Sequence, residues 1–103
     1  MSVLSEADLL RTFARREAIL DQLRQILIEK LSVRRAPDEI DPDTPLFGTG
    51  LRLDSVDAVE LWVNVRLTFG LAIPDDERRL TALRTLSALA SLILASEEHA
   101  HVA

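Results

Sequence analysis

The 103-residue sequence predicts an all-α fold, a small bundle of helices. Three observations point there. Apolar residues recur at spacings of three and four through Ile19, Leu20, Leu23, Ile26, Leu27 and Leu31, and again through Val59, Trp62, Val65 and Phe69. Pro37, Pro42 and Pro45 gather between these two runs, where they disfavour helix. The one segment that alternates as a strand would, Val63 to Ile73, has no convincing partner elsewhere in the chain.

The first helical segment opens at Ser5 and Asp8, spaced as a capping box with Asp in place of Glu, and Leu9, Leu10 and Phe13 follow. Arg15-Arg16-Glu17 then separates these residues from the main apolar run. The periodicity fits one long helix to about Val33 or two helices meeting near that point. A loop is expected from Ala36 to Gly50, and a connection of that length in a small domain tends to be functional. A second helix from Ser55 ends at Gly70, a residue suited to the left-handed position just past a helix. Its predicted inward face is Val59, Trp62, Val65 and Phe69. After Pro74, the acids Asp75, Asp76 and Glu77 precede Arg78 and Arg79, the charge order of a short helix. A final buried helix is expected from about Thr85 to Ser96. The chain thus divides into an N-terminal helical extension, 1–17, a core domain, 18–96, and a tail, 97–103, expected to fray.

Apolar residues make up 48% of the chain and charged residues 28%, an ordinary balance for a soluble domain. The absence of cysteine excludes disulfides, thiolate metal sites and a cysteine nucleophile. Both histidines lie in the last five residues, away from any helical core, so histidine catalysis is not expected. No stretch approaches the roughly 20 apolar residues of a membrane span, and no apolar leader is visible, so a cytoplasmic location is expected. Residues 36–80 carry four basic and ten acidic side chains. That surface repels nucleic acid and favours encounter with a basic patch on a protein.

Three candidate sites fail on spacing. Asp41 and Asp43 resemble the start of a calcium loop, but Pro45 stands where the third ligand would be. Gly48-Thr49-Gly50 lacks the Lys-Ser or Lys-Thr of a phosphate loop. His99 and His101 have no third ligand, so no metal is expected. What remains is Leu53-Asp54-Ser55-Val56-Asp57-Ala58-Val59-Glu60-Leu61. Read locally, Asp54 caps a helix, Asp57 adds charge near its positive end, and Ser55 is a first-turn residue with no role. Read functionally, Ser55 displays a hydroxyl at a helix N-terminus, where an attached phosphate is electrostatically welcome. No general base is near in sequence, so another enzyme would modify the hydroxyl.

This segment resembles the attachment motif of acyl carrier proteins. The resemblance continues upstream through Asp41-Pro42-Asp43-Thr44-Pro45-Leu46-Phe47 and downstream through Phe69-Gly70-Leu71-Ala72-Ile73-Pro74-Asp75-Asp76-Glu77, and covers about Ile19 to Ala95. It implies a four-helix bundle with a short third helix and a long loop between the first two. It also implies that Ser55, flanked by Asp54, carries 4′-phosphopantetheine donated from coenzyme A by a phosphopantetheinyl transferase. The thiol of that arm would hold acyl groups for acyl-loading and acyl-transfer enzymes, and the carrier itself would not be an enzyme.

The Gly-Leu-Arg-Leu-Asp-Ser form is similar to carriers of specialised pathways, such as aryl-polyene clusters, more than to the housekeeping fatty-acid carrier. Arg66, Leu67 and Thr68 stand where the housekeeping type is usually acidic, and the Gly-Gly-x-Ser site of peptidyl carriers is absent. A helical step of about 100° per residue puts Val56, Val63 and Leu67 on a stripe beside the predicted core face, edged by Glu60 and Arg66. With Asp57, these residues form the expected docking surface. The competing expectation is an unmodified helical interaction module that keeps the same fold. A monomer is the default, although Leu9, Leu10 and Phe13 would either cover the bundle or pair with another chain.

Overall fold

A computed structural model describes residues 6–47, 50–70 and 81–101, with side chains to Glu97. Three α-helices are described: α1 (Glu6–Glu29), α2 (Ser55–Phe69) and α3 (Leu86–His101). Among the described residues there is no strand; two isolated backbone bridges, Pro45 with Thr85 and Phe47 with Leu53, are the nearest approach to one. The predicted cap at Ser5, the glycine at Gly48 and the predicted short helix over 75–80 lie outside the described residues. Thr81 and Ala82, immediately after that stretch, are helical.

A single helix spans the Arg15-Arg16-Glu17 junction, which settles the choice between one helix and two. Its buried residues, Ile19, Leu20, Leu23, Ile26 and Leu27, all lie in the second half, while Leu9, Leu10 and Phe13 are exposed. The helix stops at Glu29 and does not reach Val33. Ser32 adopts a left-handed conformation, φ 59°, and the amides of Leu31 and Val33 turn back to the carbonyls of Ile26 and Leu27. A chain reversing this way satisfies the last carbonyls and cannot continue the helix.

The first half of α1 is tied to the far end of the chain. Arg15 pairs with Glu97 through Nε to Oε1 at 3.0 Å and Nη2 to Oε2 at 2.5 Å. Arg16 donates to Ser91 Oγ at 3.0 Å, to Ser87 Oγ at 2.6 Å and to the Ser87 carbonyl at 3.1 Å. The helix α3 accordingly runs through His101, and Glu97, expected to begin a frayed tail, is held in it. The carboxylate beside Arg15 raises its pKa, chiefly through the hydrogen bond, so the guanidinium stays charged at all ordinary pH.

The core gathers α1, α3, one face of α2 and the connecting loop. Ile19, Leu23, Leu27, Leu61, Val65, Leu86 and Leu89 are its largest fully buried side chains, joined by Ile40 and Leu46 from the loop. The loop is long but not slack. A 3₁₀ turn, Pro37–Glu39, leads to Ile40, whose carbonyl accepts from Arg24 Nε at 3.1 Å. Asp41, the residue that resembled a calcium ligand, accepts from the Asp43 amide at 2.8 Å and closes a local turn. The loop is then stitched to the start of α3 by the Leu46 amide to the Arg84 carbonyl and the Ser87 amide to the Pro42 carbonyl, each at 2.9 Å. Thr85 caps that helix by accepting from the Ala88 amide.

The strand-like alternation from Val63 is overridden, as expected: α2 continues to Phe69. Gly70 follows at φ 62°, its amide bonded to the Arg66 carbonyl. Glycine alone adopts that conformation without steric cost.

Candidate functional site: the start of helix α2

The loop delivers the chain to α2 through a narrow approach. Leu53 donates to the Leu46 carbonyl and Leu51 to the Pro45 carbonyl, each at 2.9 Å, so residues 50–53 lie against 45–47. Gly50 makes that approach possible, because a Cβ there would sit 1.8 Å from the Pro45 carbonyl oxygen. Arg52 takes a left-handed conformation, φ 59°, and Leu53 is buried as the anchor. The backbone is therefore fixed on both sides of the bend when it reaches Asp54.

At Asp54 a reciprocal cap forms. The Asp54 carboxylate accepts from the Asp57 amide at 2.9 Å, and the Asp57 carboxylate accepts from the Asp54 amide at 3.0 Å. The local expectation for both residues is met, and Asp57 plays the part that Glu takes in the usual capping box. Ser55 is the first residue of the helix and exposed, as is Val56. The Asp57 amide is occupied by Asp54 and the Ala58 amide by the Asp54 carbonyl, while the first-turn amides of Ser55 and Val56 have no partner among the described residues. The arrangement presents a hydroxyl at the positive end of a rigidly entered helix, where phosphate oxygens are favoured.

Two apolar faces run along α2. Leu61 and Val65 are fully buried, with Ala58, Trp62 and Phe69 packed beside them on the core. On the opposite face Val56, Val59, Val63 and Leu67 are 64%, 63%, 49% and 78% exposed. Val59 was expected in the core and is not. The inward face is centred on Leu61, which the sequence reading left out, and Val59 belongs to the exposed stripe. Positions 58, 61, 62, 65 and 69 have helical spacing too, and that was the available signal. Glu60 and Arg66 are both exposed at the edges of the stripe, while the Asp57 carboxylate is engaged by the cap.

Trp62 is half-buried as expected, but its Nε1 is fully buried and has no acceptor among the described residues. Buried indole nitrogens usually find a partner, and an unpaired buried donor costs about 1–3 kcal/mol. No group of side chains among the described residues could hold a metal ion. No described helix is long and apolar enough to cross a membrane.

Residues 21–93 match the protein family described as "Phosphopantetheine attachment site". The chain belongs to the acyl carrier protein family. Curated relatives agree with the family. An acyl carrier protein of Sulfurovum sp. is 35% identical over 65 residues, 63% of this chain and 83% of the relative. One of Campylobacter hominis is 37% identical over 59 residues, 57% and 71% of the two chains, and one of Rubrobacter xylanophilus is 37% identical over 62 residues, 60% and 73%. The carrier therefore takes covalent 4′-phosphopantetheine. The start of α2 fits that group, since the exposed Ser55 supplies a hydroxyl at the first position of the helix.

Proposed function

We propose that Ser55 is the attachment point of the arm and that this protein is a stand-alone acyl carrier of a specialised pathway. The observation that carries the proposal is the Ser55 hydroxyl, exposed at the first position of α2 and fixed by the Asp54–Asp57 cap. In this account the Ser55 oxygen takes phosphopantetheine from coenzyme A, releasing adenosine 3′,5′-bisphosphate, while the transferase removes the hydroxyl proton. When bound, the group supplies a thiol that carries acyl groups as thioesters.

The residues of the chain hold and present; they do not catalyse. Asp54 and Asp57 fix the helix start, and Leu53 anchors the loop behind it. Val56, Val59, Val63 and Leu67 form the apolar centre of a docking surface, with Glu60 and Arg66 setting register at its edges. Transferase and acyl-handling enzymes of fatty-acid, polyketide or aryl-polyene type would meet the carrier there. A four-helix bundle with its short third helix before Thr81, a monomeric state and a cytoplasmic location complete the proposal.

Fragment mass spectrometry after incubation with coenzyme A and a broad-specificity transferase tests the assignment. The added mass should map to Ser55. An arm found on Thr44, Thr49 or any other hydroxyl would refute it.

A further inference from the structure

The family match begins at residue 21, so the first half of α1 lies outside it. That half carries Leu9, Leu10 and Phe13, each more than half exposed. Single exposed apolar residues are ordinary on a folded surface, but three so close together on one helix make a patch. Glu6, Leu10, Phe13 and Glu17, all exposed, recur at spacings of four, three and four. They therefore form one line along α1, about 17 Å long, apolar in the middle and acidic at both ends, with Leu9 beside it. Neither glutamate has an ion pair or hydrogen bond among the described residues. The nearby cations are engaged elsewhere. Arg15 and Arg16 bind α3, and Arg11 approaches Asp8 at 3.9 Å, well round the helix from the line.

The same anchors place this face in the fold. Arg16 meets Ser87 and Ser91, and Arg15 meets Glu97, so α1 followed back to Leu10 runs toward the C-terminal end of α3. The start of α3 lies at the other end, where the Arg84 carbonyl takes the Leu46 amide and the Leu46 carbonyl takes the Leu53 amide. Ser55 therefore stands near where α3 begins. The Leu10–Phe13 face lies beyond Glu97, which is about 16 Å along α3 from Leu86.

Independently of the assignment of Ser55, we infer that this face docks an amphipathic helix of another protein, apolar in its middle and with a Lys or Arg at each end. The partner would hold the carrier there while Ser55 stays open at the opposite end. A second copy of this chain is the wrong occupant. An antiparallel pair sets Glu6 against Glu17, a parallel pair sets each against itself, and like charges face in both. An anionic membrane surface repels the same two carboxylates. A helix with cations at both ends instead uses them to fix its register. Three side chains make a face far smaller than the roughly 800 Å² each partner gives to a stable interface, so the contact is weak and exchanging.

The test uses the full-length protein and two designed helical peptides, followed by fluorescence anisotropy. Both peptides carry the same Leu and Phe face, with Lys at both ends of it in one and Glu in the other. The Lys peptide should bind about tenfold or more tighter than the Glu peptide, and the double reversal Glu6→Lys with Glu17→Lys should invert that order. Leu10→Gln with Phe13→Gln should abolish binding of both peptides without lowering Tm. Loading of the wild type by a transferase should proceed at the same rate with the Lys peptide saturating. Equal binding of the two peptides, or binding of neither, would overturn the inference. So would a wild-type dimer that the Gln variant makes monomeric, which would give the face to a second copy. A lower Tm in the Gln variant would give it to the chain itself and overturn the inference as well. Loading slowed by bound peptide would overturn the separation of the two sites. Protein that binds the Lys peptide yet never loads would support this inference and fail the Ser55 reading alone.

Discussion

Asp54 and Asp57 each accept a hydrogen bond from the other's backbone amide, at 2.9 and 3.0 Å, and Ser55 sits inside that exchange. The pair leaves the hydroxyl between two carboxylates that are both committed to the backbone. The start of α2 is thereby fixed while Ser55 stays exposed.

Asp54→Ala removes the acceptor of the Asp57 amide and should cost about 0.5–2 kcal/mol. In a domain of this size that lowers Tm by about 4–8 °C for each kcal/mol. Asp54→Asn keeps an acceptor and should lose much less. Thermal melts of the two variants decide it, and equal losses would mean that charge, and not capping, is what matters at this position.

Gly50→Ala should be more harmful than its half-buried loop position suggests. The new methyl would meet the Pro45 carbonyl oxygen at 1.8 Å, so the turn must open. Such overpacking costs about 1–3 kcal/mol. Because the same turn leads into Ser55, modification by a transferase should slow as well. A melt and a modification time course test both parts.

The two faces of α2 should respond oppositely to substitution. Leu61→Ala empties a fully buried site and should cost about 2–5 kcal/mol. Val59→Asp and Val63→Asp lie on the exposed stripe and should change stability by no more than about 0.5 kcal/mol. Acyl transfer with a cognate partner should instead fall sharply for both valine variants. Unfolding of Val59→Asp would return that residue to the core.

The two arginines of α1 should differ although they are neighbours. Arg16→Ala loses three hydrogen bonds to Ser87 and Ser91, two of them partly buried, and should cost about 1.5–3 kcal/mol. Arg15→Ala loses a largely exposed ion pair, worth about 1 kcal/mol or less and screened by salt. Because the hydrogen bond and charge of Glu97 raise the pKa of Arg15 above its ordinary value, the pair's contribution is fully present below that ordinary value and is lost only as pH climbs through the higher folded one. Melts between about pH 7 and pH 10 should therefore show no loss traceable to this pair.

What the sequence made legible was local. The cap at Asp54 and Asp57, the proline-rich loop and the stop at Gly70 each follow from residues a few positions apart, and each stands in the structure. The inward face of α2 was misjudged at Val59 because this helix is apolar on both sides. Positions 56, 59, 63 and 67 and positions 58, 61, 62, 65 and 69 both satisfy helical spacing, and only packing against α1 and α3 decides between them. The early end of α1 depends on Ser32 in a left-handed conformation that its residue type does not announce. The order of Glu97 depends on Arg15, 82 residues away, which no local pattern contains. The Trp62 nitrogen, without an acceptor among the described residues, belongs to the same class of fact, since it is visible only once the neighbours are in place.

The central claim is that Ser55 carries the arm, and intact-mass measurement of wild type beside Ser55→Ala tests it most directly. After incubation with coenzyme A and a broad-specificity transferase, wild type should gain the mass of one phosphopantetheine and Ser55→Ala should gain none. Unmodified wild type under conditions that load a control carrier, or a modified Ser55→Ala, would contradict it.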